Sequence, residues 1–458
     1  MRRSGAVALA LACSASAFVL PDAQVPFDSQ PQHPKTSESW WDSLRELASE
    51  GSLNPHVPSV DDLSAVLDES AEAISAGLDG VTKALTDLKD QLVDFVHNEE
   101  ESSDRPRHGP KHGHHKHGHK EFPDHTIYQV IQHSKYTTKF AKALDDFPEV
   151  VKILNGTKGG NHTLFVPIDE AFEHLPDHGE KPSKEFMEHA LLYHIGLGNL
   201  PAVKLLKANT VPTAYDEKLL GDEPQRLRTS IGLGGLKLNF YSKVVAADFK
   251  TKNGIIHGVR ELLIPPPMVG RELTLFPSEF STLLLAYEKT DFVDFIHDVK
   301  MVGSTVFAPS NSAFQKLGPR ANAFLFNSKT GLKYLKAILK YHIVANATLY
   351  TDAFYDETES SDDLQAETEK REHFDLVTLL HDLHVSVDIL EWASLKFVTV
   401  NGFAGVKVRD AVAKNGVIHV LDRVLIPPHK HGKENAEDWS DDVDIDVDDL
   451  KERLQEYI

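Results

Sequence analysis

Cysteine is almost absent. Among 458 residues there is one, Cys13. A disulfide framework is excluded, and so is a structural zinc site built on thiolates. Tryptophan and methionine number four each, too few for aromatic cages or Met-lined grooves. No basic excess exists: 48 Lys and Arg face 69 Asp and Glu, a formal charge of −21. That balance argues against a nucleic-acid binder, which needs a basic face. The apolar run from Gly5 to Cys13 falls far short of the ~18–20 residues a bilayer needs, and no other segment reaches that length. No G-x-S-x-G elbow, H-E-x-x-H, P-loop or cysteine nucleophile is present. An enzyme is therefore not expected.

What remains is an ordinary globular composition, 41% hydrophobic and 26% charged. The length suits two or three domains. Residues 1–17 read as a secretory signal peptide. Arg2 and Arg3 are its positive start, and Ala15-Ser16-Ala17 is a small-residue cleavage pattern. Cleavage there would remove Cys13. The expected location is secreted, extracellular or at the cell surface, with the vacuole lumen as the alternative. Three glycosylation sequons agree with that route, at Asn155, Asn161 and Asn346.

Residues 18–57 are rich in Pro, Ser and Gln and read as an extended leader. Residues 58–98 carry apolar side chains at steps of three and four, with a 3-4-3-4-3 spacing from Leu78. This predicts an amphipathic helical segment, suited to self-association or to packing on the rest of the chain. Residues 99–122 form an acidic, then His-rich linker. His112, His114, His115, His117 and His119 fall in HGPKHGHHKHGHK. Neutral imidazoles ligate Zn and Cu, so a labile metal site is one reading. A solvated linker and a proton-dependent switch are the others. No other cofactor is expected.

The rest of the chain repeats itself. TLFVPIDEAF (163–172) matches TVFAPSNSAF (305–314). LLYHI (191–195) matches LKYHI (339–343), and NGIIHGVRELLIPP (253–266) matches NGVIHVLDRVLIPP (415–428). The blocks keep their order, so two homologous domains are predicted, 123–267 and 268–428, followed by an acidic tail over 429–458. Each opens with an amphipathic helix, over Ile127–Leu154 and over Phe280–Val299. Thr163–Val166 predicts a buried strand ended by Pro167. Asp169 and Asn311 are placed to cap the turn that follows. Asn253-Gly254, Asn415-Gly416 and Asn401-Gly402 predict hairpins with positive φ. Helices precede strands, so the class is α+β. The acidic insert at 356–375 reads as a surface loop.

These three blocks, in this order, resemble the signature of the fasciclin domain family, twice over residues 123–428. With the signal peptide, the chain looks most like secreted fungal members. The resemblance implies two tandem wedge-shaped, β-barrel-like domains with helices along one side. It also implies a non-enzymatic role in cell adhesion or matrix contact, with a cell-surface or cell-wall protein or glycan as partner. The motif residues are Tyr193, His194, His257, Tyr341, His342, His419 and Asp422. The histidines read as core residues fixing strand and helix ends. The Tyr-His pairs read as either buried elements or surface determinants of adhesion. Asp422 has Arg260 as its counterpart in domain 1, a departure that puts its polar contact there in doubt. A metal- or pH-responsive binding protein using the His-rich tract is the alternative function.

Overall fold

The apolar periodicity over Ile127–Leu154 folds into three short helices in the computed structural model: α1 (Ile127–His133), α2 (Thr138–Leu144) and α3 (Pro148–Asn155). Each break has a local cause. Thr126 and Gln129 form a capping box that starts α1, and Ser134 ends it in extended backbone. Pro148, in the first turn of α3, lacks the N–H that a helix interior needs. Phe140, Leu144 and Val150 from these helices, and Phe147 between α2 and α3, are buried in the domain 1 core. The structure describes residues 121–157, 161–173, 182–232, 235–356, 359–363, 371–380, 383–392, 395–428 and 445–458. All of these lie in one unit, Trp40–Ile458. The signal peptide, the leader, the 58–98 segment and the His-rich tract lie outside the described residues.

Domain 1 continues from a short strand β1 (Glu121–Phe122) and the helices into β2 (His162–Pro167), a 3₁₀ turn at Asp169–Phe172, and α4 (Lys184–Tyr193). Then come β3 (Ile195–Leu197), α5 (Ala202–Leu205), β4 (Thr210–Glu217), β5 (Glu223–Gly232), β6 (Gly235–Leu238), β7 (Ser242–Thr251) and β8 (Gly254–Val259). Their order is β1-β7-β6-β5-β4-β3-β2-β8, and β7 also pairs β8. The sheet therefore closes on itself as a barrel. The motif strands β2 and β8 run parallel. Every residue of β8 is buried, as befits an apolar run covered on both faces.

Domain 2 repeats the plan. It runs through α6 (Val269–Leu275), α7 (Pro277–Lys289), α8 (Phe292–Asp298), β9 (Ser304–Pro309), α9 (Asn311–Gln315), α10 (Pro319–Asn327) and α11 (Lys329–Tyr341). The strands are β10 (Ile343–Ala345), β11 (Ala347–Leu349), β12 (Ala353–Asp356), β13 (Glu359–Asp363), β14 (Arg371–Val377), β15 (His384–Trp392), β16 (Leu395–Val400), β17 (Ala404–Ala413) and β18 (Gly416–Leu421). The main sheet is β10-β9-β18-β17-β16-β15-β14. A bridge from Val344 to Thr378 nearly closes it. The class is α+β with two tandem barrel-like domains.

Several local expectations change. Of the acidic insert at 356–375, Glu359–Asp363 pairs with β12 and Arg371 starts β14; residues 364–370 lie outside the described set. Within the expected acidic tail, Val447–Leu454 forms a helix, α12, with Leu450 and Leu454 fully buried in the domain 2 core. Asp169 does not cap its own turn. Its carboxylate accepts from the backbone N–H of Thr138 and Lys139, so it caps α2. Asn311 likewise accepts from Thr282 N–H in α7, while Ser310 caps α9. The side chain pins a helix to the end of the motif strand in both domains.

Asn253-Gly254 and Asn415-Gly416 also work differently from the expected turn, because neither asparagine takes a positive φ. Asn253 is buried; its side chain accepts from Ile127 N–H and donates to the carbonyls of Leu154 and Gly156. Gly254 is needed for space: a Cβ there would lie 1.9 Å from the carbonyl oxygen of His162. Asn401-Gly402 does form the predicted turn, with φ of 51° and 72°. Domain 1 makes the same turn from Asn239 and Phe240, at 48° and 68°. The Phe240 ring lies 4.1 Å beneath the Arg228 guanidinium.

Candidate functional site

The Tyr-His pairs close helices α4 and α11 and point inward. Tyr193 and Tyr341 are fully buried. The Tyr193 hydroxyl donates to Arg226 O (2.9 Å) and accepts from Asn239 Nδ2 (2.7 Å). Tyr341 does the same with His384 O and Asn401 Nδ2, both at 3.0 Å. Each phenol thus locks the positive-φ asparagine of one strand turn to the helix end.

His194 and His342 follow at the C-caps. His194 Nδ1 lies 2.7 Å from Ala190 O, and Leu263 N–H donates to Nε2 at 3.0 Å. His342 repeats this with Ile338 O (2.8 Å) and Leu425 N–H (2.9 Å). The backbone N–H can only donate, so each ring is neutral and carries its proton on Nδ1. Burial lowers both imidazoles to about 4, against the opposing effect of the carbonyl bond.

His257 and His419 sit on β8 and β18 as the opposite tautomer. Asp248 N–H donates to His257 Nδ1 at 3.3 Å, and Nε2–H donates to Leu200 O at 2.9 Å. Asp410 N–H and Leu349 O hold His419 at 3.4 and 2.8 Å. Phe165 and Phe307 stack on these rings. Burial lowers both imidazoles below their usual range. The two aspartates have left-handed backbones, and their carboxylates accept from Ala202 N–H and Thr351 N–H at 2.8 Å. All four rings have both nitrogens bonded and no exposed edge. They can hold backbone in place but cannot move a proton to or from a bound molecule.

Asp422 accepts from Gly405 N–H at 2.9 Å and pairs with Lys316 at 3.6 Å. Its counterpart Arg260 is exposed, and its backbone N–H alone bonds to Lys243 O. Asn155 and Asn161 are exposed; Asn155 Oδ1 accepts from Thr126 Oγ1 at 2.7 Å. Asn346 is half-buried and accepts from Val302 N–H at 2.9 Å. His112 to His119 fall outside the described residues. Among the described residues no group of three or more His, Cys, Asp or Glu could hold a metal ion.

A further polar cluster joins the domains. Asp352, in domain 2, accepts from Asn209 N–H (3.0 Å), Thr210 N–H (2.7 Å) and the Thr210 hydroxyl in domain 1. Arg226 on β5 lies 3.8 Å from the same carboxylate and donates to Tyr355 Oη at 3.0 Å. Its guanidinium also faces the Tyr350 and Tyr355 rings. Arg228 donates to Arg409 O at 2.9 Å, and Gln225 to Ala413 O at 3.0 Å. Burial lowers Arg228 to about 10, partly offset by Asp410. Sequence reasoning missed this cluster. One signal was available: two arginines spaced i, i+2 on a strand share a face, and charges on a covered face need a partner.

With this geometry in place, the chain can be compared with known proteins. A fasciclin domain model matches it over residues 135–265 and 278–427. The chain belongs to the fasciclin domain family. It is 31% identical over 324 residues to aurofusarin biosynthesis cluster protein S of Gibberella zeae, covering 67% of this chain and 78% of that one. It is 26% identical to Fasciclin-1 of Schistocerca americana over 60% of this chain and 41% of that one. Stabilin-2 of Rattus norvegicus is 28% identical over 48% of this chain and 16% of its own length. The chain thus spans less than half of these last two relatives. A solved FAS1 domain pair from the insect cell adhesion molecule Fasciclin I has 21% identity and a TM-score of 0.31, covering 63% of this chain and 96% of that one. Among the described residues, no helix is long and apolar enough to cross a membrane.

Proposed function

We propose that this chain is a non-enzymatic adhesion or matrix-binding protein, secreted or held at the cell surface. Its partner would be a cell-surface or cell-wall protein or glycan. Membership in the fasciclin family supports this reading, since the family resemblance implies adhesion. The observation that carries it is the state of the motif residues. Four imidazoles and two phenols are buried with their polar atoms paired inside the fold. Residues spent on building two barrels leave binding to the outer faces. Those faces are held as a pair by the buried Asp352–Arg226 cluster. The test is retention of source cells on surfaces coated with the purified protein. The full chain should retain them, a chain lacking 108–120 should retain them equally, and one lacking 123–428 should not. Retention that survives loss of both domains would overturn the proposal.

A further inference from the structure

Domain 1 meets domain 2 through the outer face of β5, where Arg226 and Arg228 lie. The two domains repeat the same bonds at the Tyr-His helix ends and the strand-turn asparagines, so the matching face of domain 2 can be located. Tyr193 bonds Arg226 O, and Tyr341 bonds His384 O. Asn239 bonds the backbone of Arg228, and Asn401 that of Ser386. His384 and Ser386 on β15 therefore stand where Arg226 and Arg228 stand on β5. Arg226 and Arg228 are buried, but His384 is exposed. Val377, 45% exposed, faces it across the ladder, whereas Leu390 and Phe397, 47 and 40% exposed, lie six residues farther along the strands, at about 20 Å. In register, Val377 is opposite His384 and Leu390 opposite Phe397. Among the described residues this face of β14, β15 and β16 has no covering element.

The opposing surface can be located in the same way. Ala202 N–H bonds Asp248, and Thr351 N–H bonds Asp410. Val203 therefore stands where Asp352 stands, the residue that domain 2 presents to domain 1. Val203 is 58% exposed, with Lys204 and Lys207 exposed beside it. One molecule thus displays both halves of a contact it already makes once internally. The chemistry changes in step on the two sides. The internal contact sets a carboxylate against a guanidinium. The free surfaces set Val203, flanked by Lys204 and Lys207, against Val377 and His384, with the exposed Asp375 beside them and Asp388 already paired with Arg371 and His373.

We propose that a second copy of this chain docks head to tail, with its domain 1 surface around Val203 on the β14–β16 face of domain 2. Strand β1 pairs at Thr251, the position matching Ala413, where Gln225 bonds in the internal contact. The intermolecular contact is accordingly centred on Val203. A heterologous contact leaves one free half at each end, so assemblies longer than two can form. This inference is independent of the adhesive partner.

Sedimentation velocity on the full chain over a concentration series tests it. The mass should rise with concentration. Val203→Glu, and separately Val377→Glu with His384→Glu, should each weaken association by about tenfold or more. An equal mixture of the two variants should regain dimers but nothing longer, because each still carries one intact half. If a glutamate variant fails to fold by thermal melt, serine at the same positions replaces it. A mass that stays monomeric at all concentrations would overturn the proposal. So would association unchanged in both variants, or a mixture that fails to regain dimers.

Discussion

Lowering the pH from 7 to 5 should destabilise both domains through His194 and His342. Each imidazole is held near pKa 4 by burial, against 6.5 when exposed. A depressed folded pKa means the unfolded chain binds the proton first. The contribution to stability is thus full above about 6.5 and lost as pH falls toward 4. Over this interval the loss is about 2 kcal/mol for each ring. Glu272 acts in the opposite direction. Burial pushes its carboxyl up to about 7, so its contribution is full below 4.5 and lost as pH rises through 7. Being only half-buried, it offsets less than one histidine. The clean readout is a difference that removes it: urea unfolding of the natural chain and of His342→Gln at both pH values. Gln can still accept from Leu425 N–H but cannot titrate. The stability gap between the two proteins should narrow by about 2 kcal/mol on going to pH 5. A gap that is the same at both pH values would refute the reasoning.

Other perturbations have equally definite outcomes. Asp352→Ala leaves Arg226 buried without its carboxylate, a cost of about 3–5 kcal/mol; calorimetry should show one transition splitting into two as the domains uncouple. Gly416→Ala would place a Cβ 2.1 Å from Ser304 O, and the displaced strand should lower stability by about 3 kcal/mol or more, read as loss of soluble yield or a lower Tm. Tyr341→Phe removes a hydroxyl that both donates and accepts; it should cost about 1–3 kcal/mol, measured by urea midpoint at unchanged m-value.

What could be read from the chain alone follows from what the two domains share. Repeated blocks exposed the motif strands and the inward histidines. Asp248 and Asp410 lay within reach of the same comparison, since each stands nine residues before its histidine. They passed unnoticed because an aspartate in a strand carries no turn signal. Phe240 was hidden for a related reason: nothing in Asn-Phe announces two positive φ values, and the Arg228 guanidinium stacked on its ring has no counterpart at Ser386. The Asp352–Arg226 cluster is harder still. A contact between domains lies where the two differ, so matching one repeat to the other erases it. The three helices over Ile127–Leu154 share one apolar face. Periodicity therefore merged them, and only the caps and Pro148 mark the breaks.

The central claim is that the motif histidines build the scaffold and leave function to the outer faces. Imidazole nitrogen NMR on the full chain tests it most directly. At pH 6 the account predicts four neutral rings that do not titrate, with His194 and His342 protonated on Nδ1, and His257 and His419 on Nε2. Rings at these positions that titrate near 6.5, as exposed imidazoles do, would contradict it.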